Sequence, residues 1–180
     1  DDGLGLRYVL EGEGSAAITS ERTEFKMGGD YSAHWIAGSH DDAEFDYEHT
    51  PLSQITPETM QQSAGRITNL VECGVSTPIA MKSEATGNHL AIHEAALWHY
   101  PGMALAWDND TRCFTSLLAG NEEVKSEVEL PFSTPWRTVI VGDRAGVLVE
   151  SNLIPNLNEP CRLEDTSWIK PMKYVGVWWE

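Results

Sequence analysis

The chain is short of basic residues: 12 Lys plus Arg stand against 28 Asp plus Glu in 180 residues, a formal net charge of −16. A phosphate backbone attracts cationic patches and repels anionic ones, so this balance argues against a nucleic-acid partner. It argues equally against docking on an anionic membrane surface. Cysteine is scarce too. Cys73, Cys113 and Cys161 lie far apart, so neither a disulfide framework nor a CxxC metal motif can be read. No apolar run reaches the ~18 residues of a membrane span, and the start Asp1-Asp2-Gly3 shows no signal-peptide core. A GxSxG elbow, an HExxH pair, a Walker loop and a GxGxxG turn are all missing, which leaves serine-hydrolase and nucleotide-binding readings nothing to rest on.

What is present is an ordinary globular composition. Apolar residues make up 41% of the chain, too many for a disordered acidic tail. A compact chain of this length buries roughly 70% of its unfolded surface, enough for one core. The acid is uneven: residues 1–60 hold 13 acidic and 3 basic side chains, whereas residues 130–180 hold 6 and 5. The N-terminal third therefore reads as a solvated surface and the C-terminal third as a part that packs.

Short alternating runs predict strands at Leu6–Leu10, Arg66–Val71 and Asn88–His93. Met103–Trp107 and Arg112–Leu118 form a pair joined by the polar turn Asp108-Asn109-Asp110. Trp136–Val141 and Val147–Glu150, separated by Gly142-Asp143-Arg144-Ala145-Gly146, suggest a second hairpin. Many short strands with frequent turn signals predict a β-sandwich or barrel. One helix is expected over residues 56–64, opened by Thr56-Pro57-Glu58. The Pro- and Asn-rich stretch Leu153–Asp165 reads as a connecting loop. Lys173–Trp179 is a nearly continuous apolar run of the kind buried on both faces of a parallel sheet. It either inserts into the sandwich or opens a second domain, and the second reading is preferred.

Within Ile92-His93-Glu94-Ala95-Ala96, strand alternation puts Glu94 on the face of Ile92 and His93 on the other. A carboxylate among apolar neighbours is costly to bury unless it is paired or binds a metal, and calcium is the natural choice for oxygen ligands. Pattern alone favours the plainer alternative of a solvated strand edge. His89 and His93 share a strand face ~13 Å apart, too far to hold one ion. Trp98, Trp107, Trp136 and Trp168 could stack on sugar rings, though core packing is the commoner fate of an indole. The run Asp41, Asp42, Glu44, Asp46, Glu48 reads as a solvated edge.

The segments Ser133–Val141, Asn156–Cys161, Asp165–Pro171 and Lys173–Glu180, with His93–Leu97 and Tyr100–Met103, closely resemble glycoside hydrolase family 97. Gly5–Tyr8 and Glu21–Phe25 resemble it more weakly. The resemblance implies a mainly β fold: an N-terminal β-supersandwich over residues 1–152, a linker over 153–172, and at 173–180 the first strand of a (β/α)8 barrel that this chain does not contain. It implies the N-terminal part of a periplasmic or secreted bacterial enzyme that cleaves α-glucosidic bonds of oligosaccharides or starch fragments with inversion. Such an enzyme depends on calcium, with Glu94 as a metal ligand and Thr115, Ser116 and Leu117 beside the substrate. No catalytic residue falls in this chain, which would be inactive alone. The implied partners are an oligosaccharide substrate and the barrel of the same polypeptide, with no nucleic acid and no membrane span. Two other readings stay open: a retaining α-galactosidase of the same family, and a non-catalytic carbohydrate-binding sandwich.

Overall fold

A computed structural model describes residues 2–40, 43–65, 69–173 and 175–176. In chain order the strands are β1 (Gly3–Leu6), β2 (Val9–Ile18), β3 (Glu24–Lys26), β4 (Ser32–Trp35), β5 (Ala37–Ser39), β6 (Glu48–Pro51), β7 (Leu70–Ser76), β8 (Ile79–Lys82), β9 (His89–Ala95), β10 (Met103–Asp108), β11 (Cys113–Leu118), β12 (Ser126–Ser133) and β13 (Trp136–Gly142). They form a six-stranded sheet in the order β1-β13-β9-β8-β4-β6 and a five-stranded sheet in the order β3-β11-β10-β7-β5. A separate ribbon pairs β12 with β2. The mainly β sandwich expected from the sequence is therefore present.

The core is built from the alternate side chains that the two sheets aim inward. Trp35, Phe114, Leu105, Ile79, Met81, Ile92 and Val75 are buried there. One end is closed by helix α1 (Pro57–Ala64), which buries Met60 and Ala64. Its start follows from three residues: Pro57 occupies the first turn, where no amide donor is needed. The Thr56 hydroxyl accepts from the Thr59 N–H at 3.3 Å, and the Thr59 hydroxyl accepts from the Thr56 N–H at 2.9 Å. The β10–β11 hairpin forms where expected, with Asp108 Oδ1 accepting from the Asp110 N–H at 2.8 Å.

Two local expectations fail. Leu6–Leu10 is not one strand: the chain leaves β1, Tyr8 donates its N–H to Thr134 Oγ1 at 3.0 Å, and β2 begins in the ribbon. Val147–Glu150 is not a hairpin arm but a helical turn, α2. Strand β13 already has β1 on one edge and β9 on the other, so no edge remains for a hairpin partner. The chain instead turns over the sheet face, where Val147 packs on Gly142 so closely that a Cβ there would come within 2.6 Å of its side chain. Leu153–Asn156, expected within a loop, is a third short helix, α3, lying against β1 and β9.

Beyond α3 the chain leaves the sandwich. Every described residue from Glu159 to Gly176 is exposed, including Leu163, Trp168, Ile169, Met172 and Val175. Residues 66–68 of one expected strand, and Tyr174 with Val177–Glu180 of the expected barrel strand, lie outside the described residues. Removing the helix cap by Thr56→Ala should cost about 1 kcal/mol. A urea-unfolding midpoint measured against Thr56→Ser, which keeps the acceptor, checks this.

Candidate ion cluster at the sandwich end

Register places Arg137 of β13 directly opposite Glu94 of β9, both on the inward face at one end of the sandwich. Arg137 is 1% exposed and Glu94 8%. A buried guanidinium must use its donors on charged or carbonyl acceptors. Its Nη1 donates to Glu94 Oε2 at 2.5 Å. Its Nε and Nη2 donate to Glu21 Oε1 and Oε2 at 2.7 and 2.8 Å, a two-pronged contact that matches the planar fork of the side chain.

Glu21 comes from the loop between β2 and β3, and a second layer of bonds holds that loop. The Thr23 hydroxyl donates to Glu21 Oε1 at 3.0 Å and the Tyr100 hydroxyl to Glu21 Oε2 at 3.2 Å. The Ser116 hydroxyl donates to the Glu21 carbonyl at 3.1 Å and accepts from the Thr23 N–H at 2.7 Å. The Met103 N–H donates to Glu94 Oε1 at 3.0 Å. The cluster thus joins β9 and β13 of one sheet to β10 and β11 of the other.

The charges respond to this setting. Burial pushes the Glu94 carboxyl above its ordinary value, and the Met103 N–H and the Arg137 charge oppose that shift without cancelling it. Burial also works against the Arg137 cation, but hydrogen bonds and charge from Glu21 more than offset it, so its pKa rises. Burial and the neighbouring Glu21 raise the Tyr100 phenol, leaving it a neutral donor.

Glu94 is not a solvated edge residue, the alternative that pattern alone favoured. Its Oε1 lies at the wall of an open depression of about 410 Å³ that Ser39, Ser76, Thr77 and Gly102 also line. The residues Thr115, Ser116 and Leu117 do not make one surface. Alternation turns Ser116 inward, 1% exposed and engaged with Glu21 and Thr23, while Thr115 and Leu117 are half-buried on the other face of β11. Ser116 therefore supports the cluster through the Glu21 loop.

Sequence reading missed Arg137 and Glu21. A cation inside the β-branched run Trp136–Val141 was a signal for Arg137, since alternation puts it on the face of Val139. Glu21, in a polar loop, carried none.

Of the tryptophans, Trp107 is core, its ring tilted 49° to that of Phe114 with centres 4.6 Å apart. Trp136 lies under the Arg7 guanidinium at 4.5 Å, and Trp98 and Trp168 are exposed. Glu44 and Asp46 are exposed and Asp41 and Asp42 lie outside the described residues.

The chain is thus a β-sandwich with a buried ionic cluster at one end and an exposed apolar stretch after α3. The family model described as "Glycosyl-hydrolase 97 N-terminal" matches residues 1–160, and the chain belongs to glycoside hydrolase family 97. It is 33% identical over 183 residues to a Streptomyces bingchenggensis protein named "Probable retaining alpha-galactosidase", covering 99% of this chain and 25% of that one. A family 97 enzyme from Pseudoalteromonas sp. strain K8, solved in complex with panose, is 33% identical and superposes with a TM-score of 0.74. The same enzyme in complex with acarbose is 32% identical with a TM-score of 0.73. Each of these two matches covers 95% of this chain and 24% of the other. The chain therefore spans about a quarter of the length of its relatives.

Two outcomes follow from the cluster. Arg137→Ala strands two carboxylates in the interior and should lower stability by about 3–5 kcal/mol, read as a drop in urea midpoint. His93, opposite Thr138 on the other face of the same strands, has a Nδ1 without a hydrogen-bond partner among the described residues. Burial lowers its pKa below the ordinary 6.5. Its folded-state pKa being depressed, the stability it contributes is present above pH 6.5 and lost as pH falls through the folded value. His93→Gln should flatten that part of a stability-against-pH curve.

Proposed function

We propose that this chain is the N-terminal part of an α-glucosidase that inverts the anomeric centre and requires calcium. The observation that carries the reading is the match, at 33% identity over 95% of the chain, to a family 97 enzyme solved with panose. The acarbose complex supports the same substrate class. Inversion needs one carboxylic acid to protonate the leaving oxygen and a second carboxylate to activate water on the opposite face. Both would come from the remaining three quarters of the protein.

This chain's contribution is Glu94. Each carboxylate oxygen has two acceptor positions. Oε1 spends one on the Met103 N–H and Oε2 spends one on Arg137, so one position on each stays open. Oε1 also faces the depression. Glu94 thus fits the role of a single calcium ligand. Among the described residues no group of three His, Cys, Asp or Glu side chains could hold an ion alone, and calcium takes six to eight oxygens, so the other ligands would come from outside these residues. When bound there, calcium would supply positive charge that organises the surrounding carboxylates. Arg137 fixes the direction of the Glu94 carboxylate, and Glu21 fixes Arg137. The exposed apolar residues from Leu163 to Val175 support packing against a further domain. We place the whole enzyme in the bacterial periplasm or outside the cell.

The Streptomyces relative favours a second reading, a retaining α-galactosidase. The full-length protein assayed on p-nitrophenyl α-glucoside and α-galactoside, with the product anomer followed by NMR, separates the two. Preferred glucoside turnover with the inverted anomer formed first supports the proposal, while galactoside turnover with retention assigns the other branch. Glu94→Gln should lower calcium-dependent kcat/KM at least about tenfold, the scale seen when a group tuning a metal site is lost. Unchanged activity and calcium requirement would remove Glu94 from the site. Maltose binding by this chain alone, with no turnover by the full-length protein, would favour a carbohydrate-binding module.

A further inference from the structure

On the outer face of the six-stranded sheet, away from the ion cluster, a cavity of about 360 Å³ is lined by His34, His49, His89, Lys82, Glu84 and Ser32, with Leu148 of α2 at its side. Half of the chain's 6 histidines lie here. His34 of β4 and His49 of β6 are directly opposite each other in an antiparallel pair. Their rings stack with centres 4.1 Å apart and planes 6° from parallel, and Ser32 Oγ is 2.7 Å from His49 Nε2. No function assigned to the cluster at the sandwich end uses these residues.

We propose that His34 and His49 form a two-histidine site for a late first-row transition ion, Zn2+, Ni2+ or Cu2+, with water completing the coordination. Neutral imidazole is the ligand these ions favour among the side chains present, whereas calcium prefers oxygen. Zinc binds imidazole nitrogen at about 2.0–2.1 Å, so two nitrogens in a tetrahedral site stand about 3.3 Å apart. The two ring centres here stand 4.1 Å apart. The lone pairs lie in the ring planes, so the parallel rings must splay before both point at one ion. Both side chains are exposed. His89 belongs to β9, two strands from β4, and at about 4.8 Å per strand it stays out of reach of the same ion. Among the described residues no three such side chains already converge, which fits a site of two. Lys82 is paired with Glu84 at 3.8 Å, so its charge is partly countered. Strand β6 is an edge held only by β4, and a shared ion would clamp it.

The test is calorimetric titration of the full-length protein, stripped with chelator, with zinc chloride and nickel chloride in the presence of excess calcium. His34→Gln, His49→Gln and the exposed control His99→Gln are titrated alongside. The expected result is one equivalent of metal lost, or its affinity lowered at least about tenfold, in the first two variants only. Zinc should raise the melting temperature of the wild type and the control but not of the two variants. Equal stoichiometry and affinity in all four proteins overturn the proposal. Loss of glycosidase activity or of calcium dependence bears only on the reading in the previous subsection, because neither His34 nor His49 takes part in it.

Discussion

The structure turns on one buried cation. Arg137 has no solvent to fall back on, and its three contacts reach a neighbouring strand and a loop far away in sequence. Removing charges from water is expensive, so such a group persists only where partners are fixed in advance. Here Thr23, Ser116 and Tyr100 fix Glu21, and the Met103 amide fixes Glu94. The two sheets are held at this end by directional bonds, while elsewhere they are held by apolar packing. With two carboxylates on one guanidinium the cluster is formally one charge negative. That residual charge sits beside the open depression that Glu94 lines.

Satisfied edges shape the rest. Because β13 is flanked on both sides, the chain after Gly142 has nowhere to pair and folds over the sheet as α2 and α3. The helices cover part of the outer face, and the chain then departs with its apolar residues unburied. The relatives run about four times longer than this chain.

Local features were legible beforehand for local reasons. The α1 start needs only Thr56, Pro57 and Thr59, and the β10–β11 hairpin needs only a polar turn between alternating arms. The class of fold followed from repeated short strands. Glu94 could be singled out because a carboxylate on an apolar face demands a partner, but the partner could not be named. For Ser116, which resemblance placed beside substrate, the structure adds a hydroxyl that holds the Glu21 loop. The supposed arm Val147–Glu150 misled because its β-branched residues favour a strand, but with no strand edge free the chain turns into a short helix against that preference.

The family came from the resemblance of whole motifs; by itself the sequence determined the β-rich core, the helix cap and the acid excess. These depend on periodicity, on composition and on contacts within a few residues. Tertiary structure alone decided which charges meet, since Glu21 and Arg137 are 116 residues apart and only sheet register brings them together. It also decided that His34 faces His49. Spacing along a chain sets what one strand can display, but pairing between strands sets what its side chains touch.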